Sequence, residues 1–485
     1  MRSLLFIVSG LLALSAAAQD RLQQSVEKFV RAYPLEGSVV GVCVKDLSGK
    51  TLASHNPEQR MMPASNRKLV TTGLALHALG PEHRFRTTLG YTGEIKDGTL
   101  TGDLYIIGGG DPTLASADSI ALKADALFWK WKTLLKEAGI ERIHGRIVGD
   151  GSAYEGPLEH PSWEYDDIGF YYGTGGSALS FYENAIDFTL APGAVGMPVQ
   201  LRQVYPEPPW LQVENDSRTV PEGGGNNLLF YTDDLSPKAG LRGTLAAGRA
   251  ARTEHLANKF GALTCAYHFW KNLKDTGWEV TGGYADVDRR GRIRSGDFRV
   301  HEAAGKPVAI AATESGRLED IVRITDWRSD NFYAEGLLRA LGMAETGSAV
   351  YDSCMVAERR VLRSLGMDTE TVALVDGSGL SRRNYVSPEW LADYLLAILR
   401  SPASASFLSC LPEPGQGTLR AVRLPQPGRV RMKSGSFGGT LCYSGYILDG
   451  QGRPEKVFCL FVNNALAPSP QLRTALTKII ALLMK

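Results

Sequence analysis

From about Phe85 to Lys306 the chain carries short β-like runs (Leu104 to Ile107, Arg146 to Val148, Phe188 to Leu190, Glu279 to Val280) separated by Gly, Pro, Asp and Asn turns. Helical texture flanks this block on both sides. Before it, Val39 to Lys45 is rich in β-branched residues and predicts a strand, with Thr51 to Ser54 returning after an Asp46-Leu47-Ser48-Gly49 turn. Leu69, Val70, Leu74, Leu76 and Leu79 then make a helix apolar nearly all round, stopped by Gly80-Pro81. After the block come helical patterns over Arg317 to Asp326, Asn331 to Leu341 and Pro388 to Leu399. Val430 to Lys433, Cys442 to Leu448 and Lys456 to Val462 predict an antiparallel meander. Ser469-Pro470 should cap and start a last helix through Leu483, whose Leu472, Leu476, Ile479, Ile480 and Leu483 fit a core-facing stripe.

Composition removes whole classes of function. The chain has 53 Lys+Arg against 52 Asp+Glu, a net charge of +1, so nothing suggests a nucleic-acid partner. With 44% hydrophobic and 22% charged residues it can bury a large core. Met1-Arg2-Ser3, the apolar run Leu4 to Leu14 and the small residues Ser15 to Ala18 have the form of a secretory signal peptide, with cleavage expected after Ala18. No later run reaches the ~20 apolar residues of a membrane span, so the expectation is a periplasmic protein with at most peripheral membrane contact. Cys43, Cys265, Cys354, Cys410, Cys442 and Cys459 are widely spaced and predict buried free thiols. The eight histidines show no metal-ligand spacing, and neither metal nor cofactor is expected. Gly223-Gly224-Gly225-Asn226-Asn227 lacks a following Gly-Lys-Ser/Thr and predicts a loop, as does Gly108-Gly109-Gly110-Asp111-Pro112.

Chemistry enters at Ser65 and Lys68. Three residues apart at a helix start, their side chains share a face and can touch. An amide at that end also points along the positive end of the helix dipole, where an oxyanion is stabilised. Alone, the pair would be a capping serine and a surface lysine. Two further signals weigh against that. Ser329-Asp330-Asn331 lies between two helical patterns, and Lys433-Ser434-Gly435 closes a strand before a glycine-rich turn. The three occur in the order Ser-x-x-Lys, Ser-Asp-Asn, Lys-Thr-Gly of penicillin-binding proteins and serine β-lactamases.

The sequence resembles the D-alanyl-D-alanine carboxypeptidase/endopeptidase family of low-molecular-mass class C, type 4, penicillin-binding proteins. The resemblance rests on Met62-Pro63-Ala64-Ser65-Asn66-Arg67-Lys68-Leu69, on Gly102-Asp103-Leu104-Tyr105 and on Gly109-Gly110-Asp111-Pro112-Thr113-Leu114. It continues through Tyr171-Tyr172, Ser177-Ala178-Leu179-Ser180 and Asp376-Gly377-Ser378-Gly379-Leu380-Ser381-Arg382. Ser434 stands where threonine is commoner and keeps the hydroxyl; Arg67 and Phe437 depart from the pattern. The resemblance implies an α/β fold: a transpeptidase-like (serine β-lactamase-like) domain built from 19–85 and 307–485. A large, mainly β insertion over 86–306 would form two smaller domains.

It also implies roles. Ser65 would be the acylated nucleophile and Lys68 its base. A lysine of ordinary pKa about 10.4 must lose about three units to serve, roughly 4 kcal/mol, which burial and the Lys433 charge can supply. Ser329 would relay a proton to the leaving amine and Asn331 hold the substrate amide. Lys433 and Ser434 would bind the terminal carboxylate, with the amides of Ser65 and Ser436 as oxyanion hole beside Gly435. Asp166, three after Trp163, and Arg382 would hold the ammonium and carboxylate of a free diamino-acid end, with Tyr171 and Phe437 as walls. Asp167 and Arg383 offer the same chemistry one residue away. By themselves, Asp376 to Gly379 is a tight turn, and Trp163, Asp166 and Tyr171 are a polar loop beside an aromatic anchor. The activity expected is a serine DD-peptidase acting on peptidoglycan stem peptides, with β-lactams as covalent inhibitors. A β-lactamase or esterase on the same scaffold and a non-catalytic cell-wall-binding module are the alternatives.

Overall fold

The computed structural model describes residues 19–288, 290–303 and 305–485; the expected signal peptide lies outside them. The chain divides into two compact units. The first holds the residues up to Pro81, Val322–Asp330 and Met355–Lys485; the second holds Glu82–Ile321 and Asn331–Cys354.

The first unit is built on five strands: β1 (Val39–Asp46), β2 (Thr51–His55), β3 (Val430–Phe437), β4 (Thr440–Leu448) and β5 (Pro454–Asn463). They pair antiparallel in the order β2-β1-β5-β4-β3. The two-residue alternation of a strand explains both faces. Val40, Val42, Val44, Val430, Met432, Tyr443, Phe458, Leu460 and Val462 enter one apolar core. Leu472, Leu476, Ile479, Ile480 and Leu483 of the last helix, Ser469–Leu483, complete that core, with Val26 and Phe29 of the helical segment 19–30. The stripe expected for the last helix is therefore buried as core. Its N-cap position is Pro468, however, and Ser469 makes no capping hydrogen bond.

The intervening strand residues point to the other face. There Gly41 meets Pro388, Lys45 pairs with Asp393 at 2.5 Å, and the Tyr446 hydroxyl donates to Leu395 O at 2.8 Å, all on the helix Pro388–Leu399. Cys43, Cys459, Ser444 and Lys433 follow one another across four adjacent strands in register, so they share this face. It is the face that carries Lys433, one of the expected site residues.

The second unit contains a seven-stranded, a four-stranded and two three-stranded sheets. It also contains helices over Ala124–Glu137 and Gly261–Asp275, which a reading by short β-like runs passes over. Both are amphipathic: Leu127, Phe128, Trp131 and Leu135 of one meet Cys265, Phe269 and Leu273 of the other in a single core. The two three-stranded sheets enclose a separate core of Ile186, Phe188, Leu190, Phe230 and Leu241. The helix Asn331–Thr346 groups with this unit rather than with the residues after 306 at large. Its buried Arg339 donates to Ala349 O at 2.9 Å and Pro157 O at 2.6 Å, and Tyr333 donates to Asp118 at 2.6 Å. All six cysteines are free and buried. Among the described residues no helix is long and apolar enough to cross a membrane.

Candidate active site

Ser65 stands in a single 3₁₀ turn, Ala64–Asn66, that runs directly into the helix Arg67–Leu79. The turn is held from three sides. Asn463, at the end of β5, accepts from Met62 N at 2.8 Å and donates to Met62 O at 3.1 Å. Asn66 donates to Ser444 Oγ at 3.0 Å. From β3, Gly435 lies so close that a Cβ there would sit 2.8 Å from Ser65 N and 2.5 Å from Pro63 O. Ala64 has φ +46°, a conformation costing roughly 1–3 kcal/mol for a non-glycine residue unless its surroundings impose it. Here the surroundings do impose it.

Lys68 follows one turn later and is fully buried. Its Nζ stands 3.1 Å from Ser65 Oγ and donates to Ser378 O at 2.7 Å. The strand alternation that sends Val430 and Met432 into the core sends Lys433 to the same face as Lys68. Lys433 is equally buried; its Nζ contacts Ser329 Oγ at 2.8 Å and donates to Ser434 O at 2.7 Å. Burial and the neighbouring Lys68 cation push the Lys433 ammonium well below its ordinary pKa, while Asp326 pulls it back up. Ser329 follows the helix Leu318–Arg328 with φ +59°, so this serine too is presented from a restricted backbone. Ser434 exchanges a hydrogen bond with Thr418 at 2.7 Å, and Ser436 is exposed on β3.

The Asp376 to Gly379 segment is more than a turn. Its Ser378 carbonyl is a partner of Lys68, and a Cβ on Gly379, whose φ is +82°, would lie 2.1 Å from Ala64 O. Asp376 accepts from Gly379 N at 2.9 Å and Ser381 N at 2.7 Å, which shapes the turn. Arg67, the unexpected residue of the first motif, is buried and paired with buried Glu358 at 2.6 Å. It also donates to Thr71 at 3.0 Å, and Thr71 donates to Gly377 O at 2.6 Å. Arg67 thus fastens the helix Arg67–Leu79 to the turn. Arg382 lays its guanidinium 4.4 Å from the centre of the Phe437 ring, so these two expected pocket residues do meet.

The remaining expected residues belong to the second unit. Asn331 donates to Tyr172 O at 3.1 Å, which ties the third motif residue to the Trp163–Tyr172 segment. Trp163 is buried, Asp166 is exposed and Tyr171 is 45% exposed. Tyr171 packs edge-on to Tyr172 at 5.4 Å. Burial, followed by the charges of Asp167 and Asp166, pushes the Tyr172 phenol up, so both acidic candidates for the ammonium site lie near this ring. Glu164, Asp166 and Asp167 form an acidic cluster with ligand atoms within 4.8 Å of one another.

A serine beside one of two buried lysines, with a second serine touching the other, is an arrangement compatible with acyl transfer. The model of the D-Ala-D-Ala carboxypeptidase 3 (S13) family matches residues 22–483. The chain belongs to this family. It is a serine DD-peptidase of peptidoglycan metabolism. A D-alanyl-D-alanine carboxypeptidase of Actinomadura sp. is 28% identical over 477 residues, covering 94% of this chain and 83% of that protein. The D-alanyl-D-alanine carboxypeptidase DacB of Haemophilus influenzae is 24% identical over 470 residues, covering 94% and 91%. In fold, the chain is similar to the crystal structure of penicillin-binding protein 4 from Haemophilus influenzae. The TM-score is 0.78 at 23% identity, over 94% of this chain and 98% of that one. A second structure of that protein, complexed with a β-lactam, has a TM-score of 0.73.

Several residues around Ser65 and Lys68 act through contacts that no motif announces. Ser378 acts through its carbonyl, which any residue possesses. Asn463 and Asn66 act as fasteners across hundreds of residues. Asp326 is a fully buried acid in a helical pattern where a polar residue ordinarily predicts a solvent face.

Proposed function

We propose that this DD-peptidase works through an acyl-enzyme on Ser65. The 3.1 Å contact between Lys68 Nζ and Ser65 Oγ carries the reading. Ser65 Oγ attacks the carbonyl carbon of the penultimate D-Ala while its proton passes to Lys68 Nζ. The amides of Ser65 and Ser436 receive the oxyanion. When the C–N bond breaks, that proton ends on the leaving amine, with Ser329 as last donor, so no net charge stays at the site. Water then attacks the acyl carbon and gives a proton to Lys68. Lys68 returns it to Ser65 Oγ as the ester bond breaks. Lys433 and Ser434 meet the terminal carboxylate by charge and hydroxyl. Among the described residues β3 pairs only with β4; on its outer edge Met432 N donates to Pro412 O at 3.1 Å, and the outer groups farther along, toward Ser436, would meet an extended peptide.

Asp166 and Arg382 complete the reading on the substrate's far end: the carboxylate takes the diamino acid's ammonium, and the guanidinium, stiffened against Phe437, forks onto its carboxylate. Residues 1–18 would direct export, and the enzyme would work in the periplasm. The test compares a stem peptide with a free diaminopimelyl end and the same peptide N-acetylated there. The parent should prefer the free end at least tenfold, about 1.4 kcal/mol, and Asp166→Ala should lose most of that preference. Equal turnover of both peptides by the parent refutes the pocket.

A further inference from the structure

The outer face of one small sheet in the second unit is not built as a solvated surface. Strands Gln212–Val220, Lys238–Ala246 and Leu229–Thr232 lie side by side in that order. Alternation along them sends Phe230, Ala239 and Leu241 into the core. It sends Tyr231, Lys238, Gly240 and Arg242 outward, and Glu214, which pairs with Gly240, shares that side. Glu214, Gly240 and Tyr231 thus form one row across the three strands. Nothing within the fold calls for glycine at the middle of this row. Its φ lies outside the left-handed region, the pairing runs through it without a register shift on either side, and an ideal Cβ there would meet nothing within 4 Å. Glycine weakens a strand interior. One that serves neither a bend nor a bulge nor a tight contact marks a place where a ligand comes close to the backbone.

Tyr165, 66% exposed, stacks on Tyr231 with ring centres 4.7 Å apart and planes 20° from parallel. The Arg242 guanidinium lies 5.7 Å from the centre of the Tyr231 ring. With Gly240 these side chains line a cavity of about 280 Å³. Its charged lining is Glu214 and Asp233 against Lys238 and Arg242, an even balance that suits a neutral ligand better than an ion. All four are exposed, so their heads are open to a ligand's donors and acceptors. A sugar ring matches both features: a face of C–H bonds that packs on aromatic rings, and a rim of hydroxyls. The cavity lies at the small end of ligand sites, a size for a sugar ring rather than for a folded partner.

We propose that this cavity is a subsite for an N-acetylhexosamine of the peptidoglycan glycan strand. The sugar lays its ring on Gly240 between Glu214 and the two tyrosines, and its hydroxyl and acetamido groups meet Glu214, Lys238 and Arg242. Tyr165 immediately precedes Asp166, to which the proposed function gives the diamino acid's ammonium. In a stem peptide the diamino acid lies between the reactive D-Ala and the sugar-bearing end, so a sugar subsite beside Asp166 continues the substrate in chain order. The enzyme thereby prefers stem peptides that still carry their sugar. That preference rests on the Asp166 reading; the sugar contact itself does not.

The first measurement is saturation-transfer NMR with a β-1,4-linked N-acetylglucosamine tetramer, on the parent, Gly240→Val and Tyr165→Ala. The parent should transfer saturation to the sugar's ring protons, and each variant should lose most of that signal. Gly240→Val fills the floor with a better strand former and should melt no lower than the parent, which a purely structural need for glycine would not allow. If Gly240→Val does not fold, Tyr165→Ala, which removes an exposed ring, decides. The second measurement is the ratio of kcat/KM for a disaccharide stem peptide to that for the same peptide without sugar, taken within each protein so that any general loss cancels. It should be about fivefold or more for the parent and fall to near unity in both variants. No transfer to the tetramer by the parent, transfer unchanged in both variants, or displacement of the tetramer by the sugar-free stem peptide overturns the proposal. Equal turnover of the free and N-acetylated diaminopimelyl ends refutes the Asp166 pocket instead, and the NMR result, which involves no peptide substrate, still decides the sugar subsite.

Discussion

Replacing Gly435 by alanine adds one methyl group at the point where β3 touches the Ser65 turn. An ideal Cβ there would lie 2.5 Å from Pro63 O, 2.8 Å from Asn66 N and 2.8 Å from Ser65 N, all backbone atoms. Ordinary contact begins near 3.4 Å, so the turn and the strand must separate by about 0.6–0.9 Å. Neither partner yields easily. β3 is paired with β4 residue for residue from Val430 to Phe437, and the turn is fastened by Asn463 and Asn66. The displacement therefore falls on Ser65 relative to Lys433 and the Ser436 amide, the geometry that the proposed acyl transfer uses. A misplacement of about 1 Å costs on the order of 100-fold in rate, or about 2.7 kcal/mol. The assay is the second-order rate constant for acylation by a chromogenic β-lactam, with a melting curve to confirm folding. Gly438→Ala, where a Cβ would meet nothing within 4 Å, is the control. Acylation of Gly435→Ala within threefold of the parent would refute the reasoning.

Two further outcomes concern stability. Burial and Lys68 lower the Lys433 pKa on folding, so the unfolded chain binds more protons there than the folded one between the folded pKa and about 10.4. That penalty is complete at pH below the folded pKa and fades as pH rises toward the unfolded value. Lys433→Met should accordingly abolish turnover yet melt at or above the parent temperature at neutral pH, with the gap narrowing on alkalinisation; a gap that widens contradicts the sign. Arg67→Met leaves Glu358 buried without its cation and should destabilise the protein by about 3–5 kcal/mol in urea titrations, whereas a loss below 1 kcal/mol would mean that the pair does not fasten the helix.

The parts of the site that were legible from sequence are those whose chemistry is local. Ser65 and Lys68 are three apart, so any helix start brings them together, and Lys433 follows Val430 and Met432 by strand alternation. The meander and the terminal helix were legible for the same reason: their apolar periods survive burial on one face. What escaped depends on contacts that no short window contains. Asn463 reaches Met62 across 401 positions, and the Asp376 turn matters through a carbonyl and a close approach at Gly379. The helices Ala124–Glu137 and Gly261–Asp275 escaped because Gly, Pro and Asp turns dominate the sequence around them, although each buries an amphipathic face. The helix Asn331–Thr346 shows the same limit at the level of domains: its period predicts a helix, but contacts such as those of Arg339, Tyr333 and Asn331 decide which unit holds it.

The central claim is that Ser65, in its turn beside Lys68, is the residue that becomes acylated. Intact-mass analysis after incubation with penicillin, followed by peptide mapping, measures this directly. The account predicts one adduct per chain, on the peptide containing Ser65, and no adduct on Ser65→Ala that still melts cooperatively. An adduct on Ser329, or full labelling of Ser65→Ala, would contradict it.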